Sequence, residues 1–199
     1  MSAPSTTTEP KKEPTEESWW HTPAPVEPAA HKTLAPSKLA DEAAALPFDE
    51  QRQKALEFGT AVHKLLQVMP SVSGAKLEEL ARRLLPDYPH IAQKLSQSME
   101  KEELKQIFAP NSLTEVPVIG TIDGEQFSGQ IDRLVIHDKE VWIVDYKTNR
   151  TPPTSPADIP IAYKKQIEIY KCLLKQIFPS KMVRGYLLWT STMQLMEVL

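Results

Sequence analysis

The stretch Val141-Trp142-Ile143-Val144-Asp145-Tyr146-Lys147 constrains this chain more than any other. Four consecutive apolar residues, β-branched or aromatic, read as a strand. The strand then ends in a carboxylate and an amine two residues apart. Side chains alternate along a strand, so Asp145 and Lys147 share one face while Val144 and Tyr146 share the other. A carboxylate that holds a cation, beside a lysine that positions or activates water, suits the metal-assisted cutting of a phosphodiester. Magnesium prefers oxygen ligands and keeps some of its own waters, so few carboxylates are needed.

Period-two patterning surrounds this stretch. Leu113 to Ile119 reads as a strand, and Asp123-Gly124 is a hairpin turn signal. Gln126 to Ile136 follows as a second strand, with Gly129 inside it as a predicted bulge. Glu140 to Tyr146 is the third. The proline-rich segment 150–160 is a loop, Ile161 to Ile177 a helix, and Met182 to Trp189 and Met193 to Val198 two closing strands. Upstream the period is helical: Ala55, Phe58, Val62, Leu65, Leu66 and Met69 form one stripe that Pro70 stops. Leu77 to Leu85 makes a second helix, Ile91, Leu95 and Met99 a third, Leu104 to Phe108 a short fourth. This order predicts a mixed α/β (α+β) domain over residues 46–199, a central mixed sheet flanked by helices with an N-terminal helical part. Residues 1–45 are punctuated by proline and read as an extended linker or tail. Trp19 and Trp20 stand out there, because adjacent tryptophans in a solvated tail usually dock onto something.

Charge and cysteine content narrow the function. The formal net charge is −3, which alone argues against a nucleic-acid partner. Residues 132–184, however, hold ten Lys/Arg against six Asp/Glu, whereas residues 1–60 hold six against ten. The basic half suits a phosphate-rich partner. The single cysteine, Cys172, excludes an internal disulfide and an iron–sulfur cluster. No apolar run is long enough to span a bilayer, the N-terminus lacks a secretory h-region, and the expected compartment is the cytoplasm. No G-x-x-x-x-G-K-[ST] occurs, so these residues hold no motor.

Asp132, on the strand before the apolar one, is expected beside Asp145 across an antiparallel pair. Alone it reads equally as a surface device paired with Arg133 or a lysine; with Asp145 and Lys147 the balance tips towards a shared cation. His63 sits in an apolar helix stripe, where a histidine is usually packed core, but Gly59 one turn earlier leaves room for a close approach. Glu115 reads either as a supporting or DNA-facing carboxylate or as a solvated strand edge. Arg133 and Arg150 are candidates for phosphate, Arg150 the better one. Lys164 and Lys165 are phosphate contacts or a wet helix face. His21, His31, His90 and His137 are assigned nothing.

Four segments occur in order: Gly59-Thr60-Ala61-Val62-His63, Gly129-Gln130-Ile131-Asp132-Arg133, Val144-Asp145-Tyr146-Lys147-Thr148, and Gln166-Ile167-Glu168-Ile169-Tyr170. Together they resemble the GxxxH, GxIDR, VDYKT and QxxxY motifs of the RecB-type nuclease family within the PD-(D/E)XK superfamily, and most of all the C-terminal nuclease domain of AddA-type helicase–nucleases. The resemblance implies a PD-(D/E)XK, restriction-endonuclease-like core and a magnesium-dependent deoxyribonuclease, with manganese as a substitute ion. It implies His63, Asp132, Asp145 and the Tyr146 carbonyl as metal ligands, and Asp132, Asp145 and Lys147 as the catalytic set. Gln166 and Tyr170, four apart on one helix face, would support the site and the DNA backbone. Arg150 is expected to bind substrate from its own place in the loop after the third strand, not from the resemblance. The implied role is exonuclease action on single-stranded DNA during double-strand-break repair and recombination, leaving 3′-hydroxyl and 5′-phosphate ends. The implied partners are a helicase region in the same or another chain and an AddB-like subunit. Two alternatives remain: a silent DNA-binding or assembly module, and a stand-alone endonuclease.

Overall fold

A computed structural model describes residues 33–38, 50–72, 74–88, 90–98 and 101–199. The Trp19–Trp20 pair and the rest of the expected tail beyond 33–38 lie outside the described residues. Four helices come first: α1 (Glu50–Val68), α2 (Gly74–Leu84), α3 (His90–Ser98) and α4 (Glu102–Ile107). Three strands follow: β1 (Leu113–Ile122), β2 (Glu125–Ile136) and β3 (Glu140–Lys147). Helix α5 (Ile161–Ile177) leads to β4 (Met182–Trp189) and β5 (Gln194–Glu197). No described helix is long and apolar enough to cross a membrane.

The strands form one sheet in the order β1-β2-β3-β4-β5. β3 and β4 are parallel, joined by the α5 crossover, and the other pairs are antiparallel. The sheet separates two apolar layers. Leu65, Leu66, Leu77, Leu104, Tyr146 and Leu188 belong to the layer under α1–α4. Ile143, Ile167, Tyr170, Leu173, Leu187 and Trp189 belong to the layer under α5. Val144 and Tyr146 of β3 point into the first layer and Val141 and Ile143 into the second, as a period of two requires.

Two expectations are corrected. Gly129 is not a bulge: it pairs with Val118 in a register that is unbroken from Ile122↔Glu125 to Val116↔Ile131. What it provides is space. A Cβ at Gly129 would lie 2.8 Å from the Tyr170 hydroxyl and 3.2 Å from Pro36 Cδ, so only glycine lets α5 lie this close. The second correction concerns the tail. β3 pairs with β2 only over Arg133–Ile136, which leaves the first half of β2 with an open edge. Residue Leu34 fills it: its N–H donates to the Gln126 carbonyl (2.9 Å), and its own carbonyl accepts from the Ser128 N–H (3.0 Å). Residues 33–38 therefore pack on the domain that was expected to begin at residue 46. A lone segment of Ser, Pro and Ala carries no period from which such an edge pairing can be read.

Candidate active site

The regular alternation of the sheet fails at one place, and the acidic residues gather there. On β2, Phe127, Ile131 and Leu134 all pack in the α5 layer. Arg133, two residues after Ile131, turns to the other side, its guanidinium over the Phe108 ring and bonded to the Tyr146 hydroxyl. The phase of β2 slips at Asp132. Directly across, between the pairs Thr114↔Arg133 and Val116↔Ile131, lies Glu115 with φ +52°. A non-glycine residue in the left-handed region costs roughly 1–3 kcal/mol and persists only where its surroundings enforce it. The paired irregularity frees both carboxylates from the pleat and aims them at helix α1.

Helix α1 supplies His63. Its Nδ1 lies 3.5 Å from Asp132 Oδ1, and its ring meets Tyr146 edge-on at 5.3 Å. Ligating atoms of His63, Glu115 and Asp132 all lie within 4.8 Å of one another. The β2–β3 register, Arg133↔Val144, brings Asp132 alongside the Asp145 end of β3. There Asp132 Oδ2 accepts from the Tyr146 N–H at 2.7 Å. Gly59, one turn before His63, passes close to the residue that follows β3: a Cβ there would stand 3.3 Å from Thr148 Oγ1. The resulting cleft, about 590 Å³, is lined by Gly59, His63, Glu115, Gln130 and Thr148 among others.

Asp145 and Lys147 sit on the α5 side of the same sheet end. Asp145 is 4 % exposed. Its Oδ1 accepts from Gln166 Nε2 (2.8 Å). Its Oδ2 forms an ion pair with Lys147 Nζ at 2.7 Å but takes no well-directed hydrogen bond. Lys147 Nζ also donates to Gln166 Oε1 (2.9 Å) and lies 4.2 Å above the Tyr163 ring. Gln166 thus holds both charged groups by the two ends of one amide.

The electrostatics follow from this crowding. Burial, and then the charge of Asp132, push the Asp145 carboxyl up against the opposing pull of Lys147. Glu115 is raised by desolvation and by Asp132. For His63 burial disfavours the proton, but the hydrogen bond and charge of Asp132, with Asp145 and Glu115 behind it, outweigh that and raise its pKa. Burial likewise opposes the charge on Lys147, and Asp145 overcomes it, so the ammonium is held above its usual range. Three carboxylates drawn together and an imidazole form a set whose mutual repulsion a small divalent cation would relieve. Oxygen and imidazole donors within 4.8 Å of one another fit such an ion.

The sequence-predicted residues distribute as follows. His63 and Asp132 share the cluster with Glu115, whereas Asp145 lies beside it with its oxygens held by Lys147 and Gln166. Tyr146 offers Asp132 its N–H. Gln166 and Tyr170, expected to support the site and the DNA backbone, are 2 % and 0 % exposed. Tyr170 donates to the Gln130 carbonyl (3.0 Å) and braces β2 just before Asp132, its hydroxyl pushed up to about 12, chiefly by burial. Arg133 is likewise removed from any phosphate. Fully buried, it donates to Leu66 O (2.6 Å), Tyr146 Oη (2.6 Å) and Ser112 Oγ (2.8 Å). Arg150 is exposed in the loop after β3. Lys164 donates to the Ala157 carbonyl, and Lys165 is exposed.

Sequence reasoning passed over Tyr163 and undervalued Glu115. Tyr163 lies three residues before Gln166, one turn along the same helix face, a spacing open to reading. Glu115 was signalled by counting the hairpin: pairing Ile122 with Glu125 brings residue 115 opposite 132.

A family model described as the PD-(D/E)XK nuclease superfamily matches residues 30–195. No curated protein matches the chain. Among solved structures, a candidate exonuclease from Eubacterium rectale is similar at 15 % identity, over 84 % of this chain and 73 % of that one, with a TM-score of 0.48. The protein SSO0001 is similar at 15 % identity, over 82 % and 74 % of the two chains, with a TM-score of 0.33.

Proposed function

The chain belongs to the PD-(D/E)XK nuclease superfamily, and from that premise we propose that it is a divalent-metal-dependent deoxyribonuclease, magnesium being the working ion. The observation that supports this most is the row of carboxylates at one sheet end: Glu115 and Asp132 within 4.8 Å of His63, and Asp145 paired with Lys147 alongside. His63, Asp132 and Asp145 would hold the ion, together with the Tyr146 carbonyl that the motif resemblance implies; Glu115 joins the set on its position. When bound, such an ion polarises a phosphate and lowers the pKa of a coordinated water.

The chain's own groups do the rest. Gln166 fixes the Asp145 carboxylate and the Lys147 ammonium in one orientation, which avoids reorganisation during reaction. Lys147, protonated, donates to a water or a non-bridging phosphate oxygen entering the cleft. The face of Tyr163 confines that ammonium on its far side. Asp132, held by the Tyr146 N–H through one oxygen, keeps the other towards His63. Gly59 and Thr148 set the width of the entrance between α1 and the end of β3.

The order of the four motifs supports a more specific role, the nuclease part of an AddAB-type helicase–nuclease. In that role the domain degrades single-stranded DNA delivered by a helicase region and works with an AddB-like subunit in the cytoplasm. The test is cleavage of end-labelled single-stranded DNA, duplex DNA and RNA, in magnesium or EDTA, by wild type and by Asp132→Ala. The proposal expects DNA cutting in magnesium only, lost in the variant. Cutting in EDTA, or an equally active variant, would overturn it.

A further inference from the structure

Beside the metal cleft lies a second cavity of about 420 Å³. The two share Ala55 and Thr148 as walls, so a chain entering one can continue into the other. The second cavity has an aromatic floor. Phe58 and Tyr88 place their ring centroids 4.6 Å apart at a 51° tilt. Both rings are half-buried, packed on the core beneath but facing the opening. Neighbouring α1 residues whose task is packing, Leu65 and Leu66, are by contrast fully buried.

The rim is cationic. Among the described residues, Lys54, Lys94 and Arg150 line the cavity and no acidic side chain does, in a protein with a formal net charge of −3. The three cations differ in what holds them. The Lys94 ammonium donates to the Ser191 carbonyl. Lys54 pairs with Glu50 at 2.6 Å on the open surface, a contact worth little and easily exchanged. Arg150 is exposed and makes no ion pair among the described residues.

We propose that this cavity holds one unpaired nucleobase of the substrate strand, stacked on Phe58 and Tyr88, while the adjoining phosphate reaches the metal cleft and Arg150 takes the phosphate on the far side. The inference rests on the nuclease reading and adds to it a subsite and a selection rule. Every base presents a π-face, so an aromatic floor holds bases without reading their sequence. A base inside a duplex is unavailable to such a floor unless it is first unpaired and unstacked. Cations at the rim and rings at the bottom match a ligand that carries charge on its backbone and flat apolar surface on its bases. The volume lies within the range of small-molecule sites. The cavity therefore favours single strands or frayed ends over intact duplex, through a contact separate from the metal.

The test uses the full chain bearing Lys147→Met, to block cutting, with magnesium present and oligonucleotides carrying 2-aminopurine at successive positions. The expected result is quenching at one position of a single strand. Phe58→Leu and Tyr88→Leu keep apolar volume over the core but remove the rings. Each should abolish the quench and weaken single-strand binding by about 5- to 150-fold, the span of one base–aromatic stack, with duplex binding changed less than about twofold. Arg150→Gln, on an exposed loop that contributes nothing to the core, should weaken single-strand binding and reduce its salt dependence by about one phosphate. Absence of a quench at every position, or equal losses for single strand and duplex, would overturn the subsite. Cutting by wild type is scored separately. An active enzyme without the quench removes the subsite and leaves the nuclease reading. A quench without metal-dependent cutting removes the nuclease reading and leaves the subsite as a strand-binding pocket.

Discussion

The two faces of the sheet carry buried charge in opposite ways. On the α1–α4 face, the Arg133 guanidinium is fully enclosed, and each of its three nitrogens donates to an oxygen: Leu66 O, Tyr146 Oη and Ser112 Oγ. On the α5 face, Asp145 is nearly as enclosed, yet its Oδ2 has only the ion pair with Lys147 and no directed hydrogen bond. A buried group with every bond made is a rivet, and its removal leaves orphaned partners behind. A buried carboxylate with unused bonding capacity, crowded by Asp132, is the kind of group that function retains against stability. Arg133 follows Asp132 directly in the sequence, and the slip in the β2 pleat divides the two roles.

The largest expected effect breaks the reactive face alone. Asp145→Ala and Asp132→Ala should lower the rate of metal-dependent cleavage by about 100- to 1,000-fold or more, as removal of one preorganised electrostatic group does, measured under single-turnover conditions on labelled DNA. Next comes the rivet. Arg133→Met leaves the Leu66 carbonyl without its donor and a buried tyrosine hydroxyl short of one. It should cost about 3 kcal/mol, within the range for two such orphaned groups, read as a shifted midpoint in urea. A variant at Arg133 that lost cleavage yet melted like wild type would erase the distinction between the faces.

A smaller effect sharpens the support for the reactive face. Gly129→Ala drives a methyl group against Tyr170 and Pro36 and should destabilise by about 1–3 kcal/mol, the usual cost of overpacking, seen in thermal melts. The smallest is a control at neither face. Arg184 and Glu197 form a double hydrogen bond, at 2.8 and 2.6 Å, with both side chains about one-third exposed. That pair should contribute no more than about 0.2–1 kcal/mol. The hydrogen bond from Arg184 lowers the Glu197 pKa, so the contribution is present above the ordinary glutamate range and lost as pH falls through the lowered value. The stability gap between wild type and Arg184→Gln should narrow on acidification.

Much of the fold was legible because its signals are local. The stripe from Ala55 to Met69, the Asp123-Gly124 turn, whose φ angles are +50° and +84°, and the apolar β3 each state their period within a dozen residues. The alternation that sets Asp145 and Lys147 apart from Tyr146 is a property of any strand. What lay out of reach was tertiary. Arg133 reads as a phosphate contact until α4 and Leu66 are seen to close over it. Glu115 reads as a wet edge until β1 and β2 are seen to buckle together at one rung. Gly129 reads as a bulge because a glycine in a strand signals either a bend or a close neighbour, and only the Tyr170 hydroxyl decides which. Leu34 has no pattern of its own; it docks because β3 is shorter than β2.

The most direct test of the account is single-turnover cleavage by Lys147→Met in magnesium, with its circular dichroism spectrum and thermal melt recorded on the same sample. The account predicts a folded protein that binds DNA and does not cut it, because the ammonium held by Asp145 and Gln166 acts at the phosphate and the core does not depend on it. A folded variant that cuts at the wild-type rate would contradict the assignment of Lys147 and, with it, the placing of the reaction on this face of the sheet.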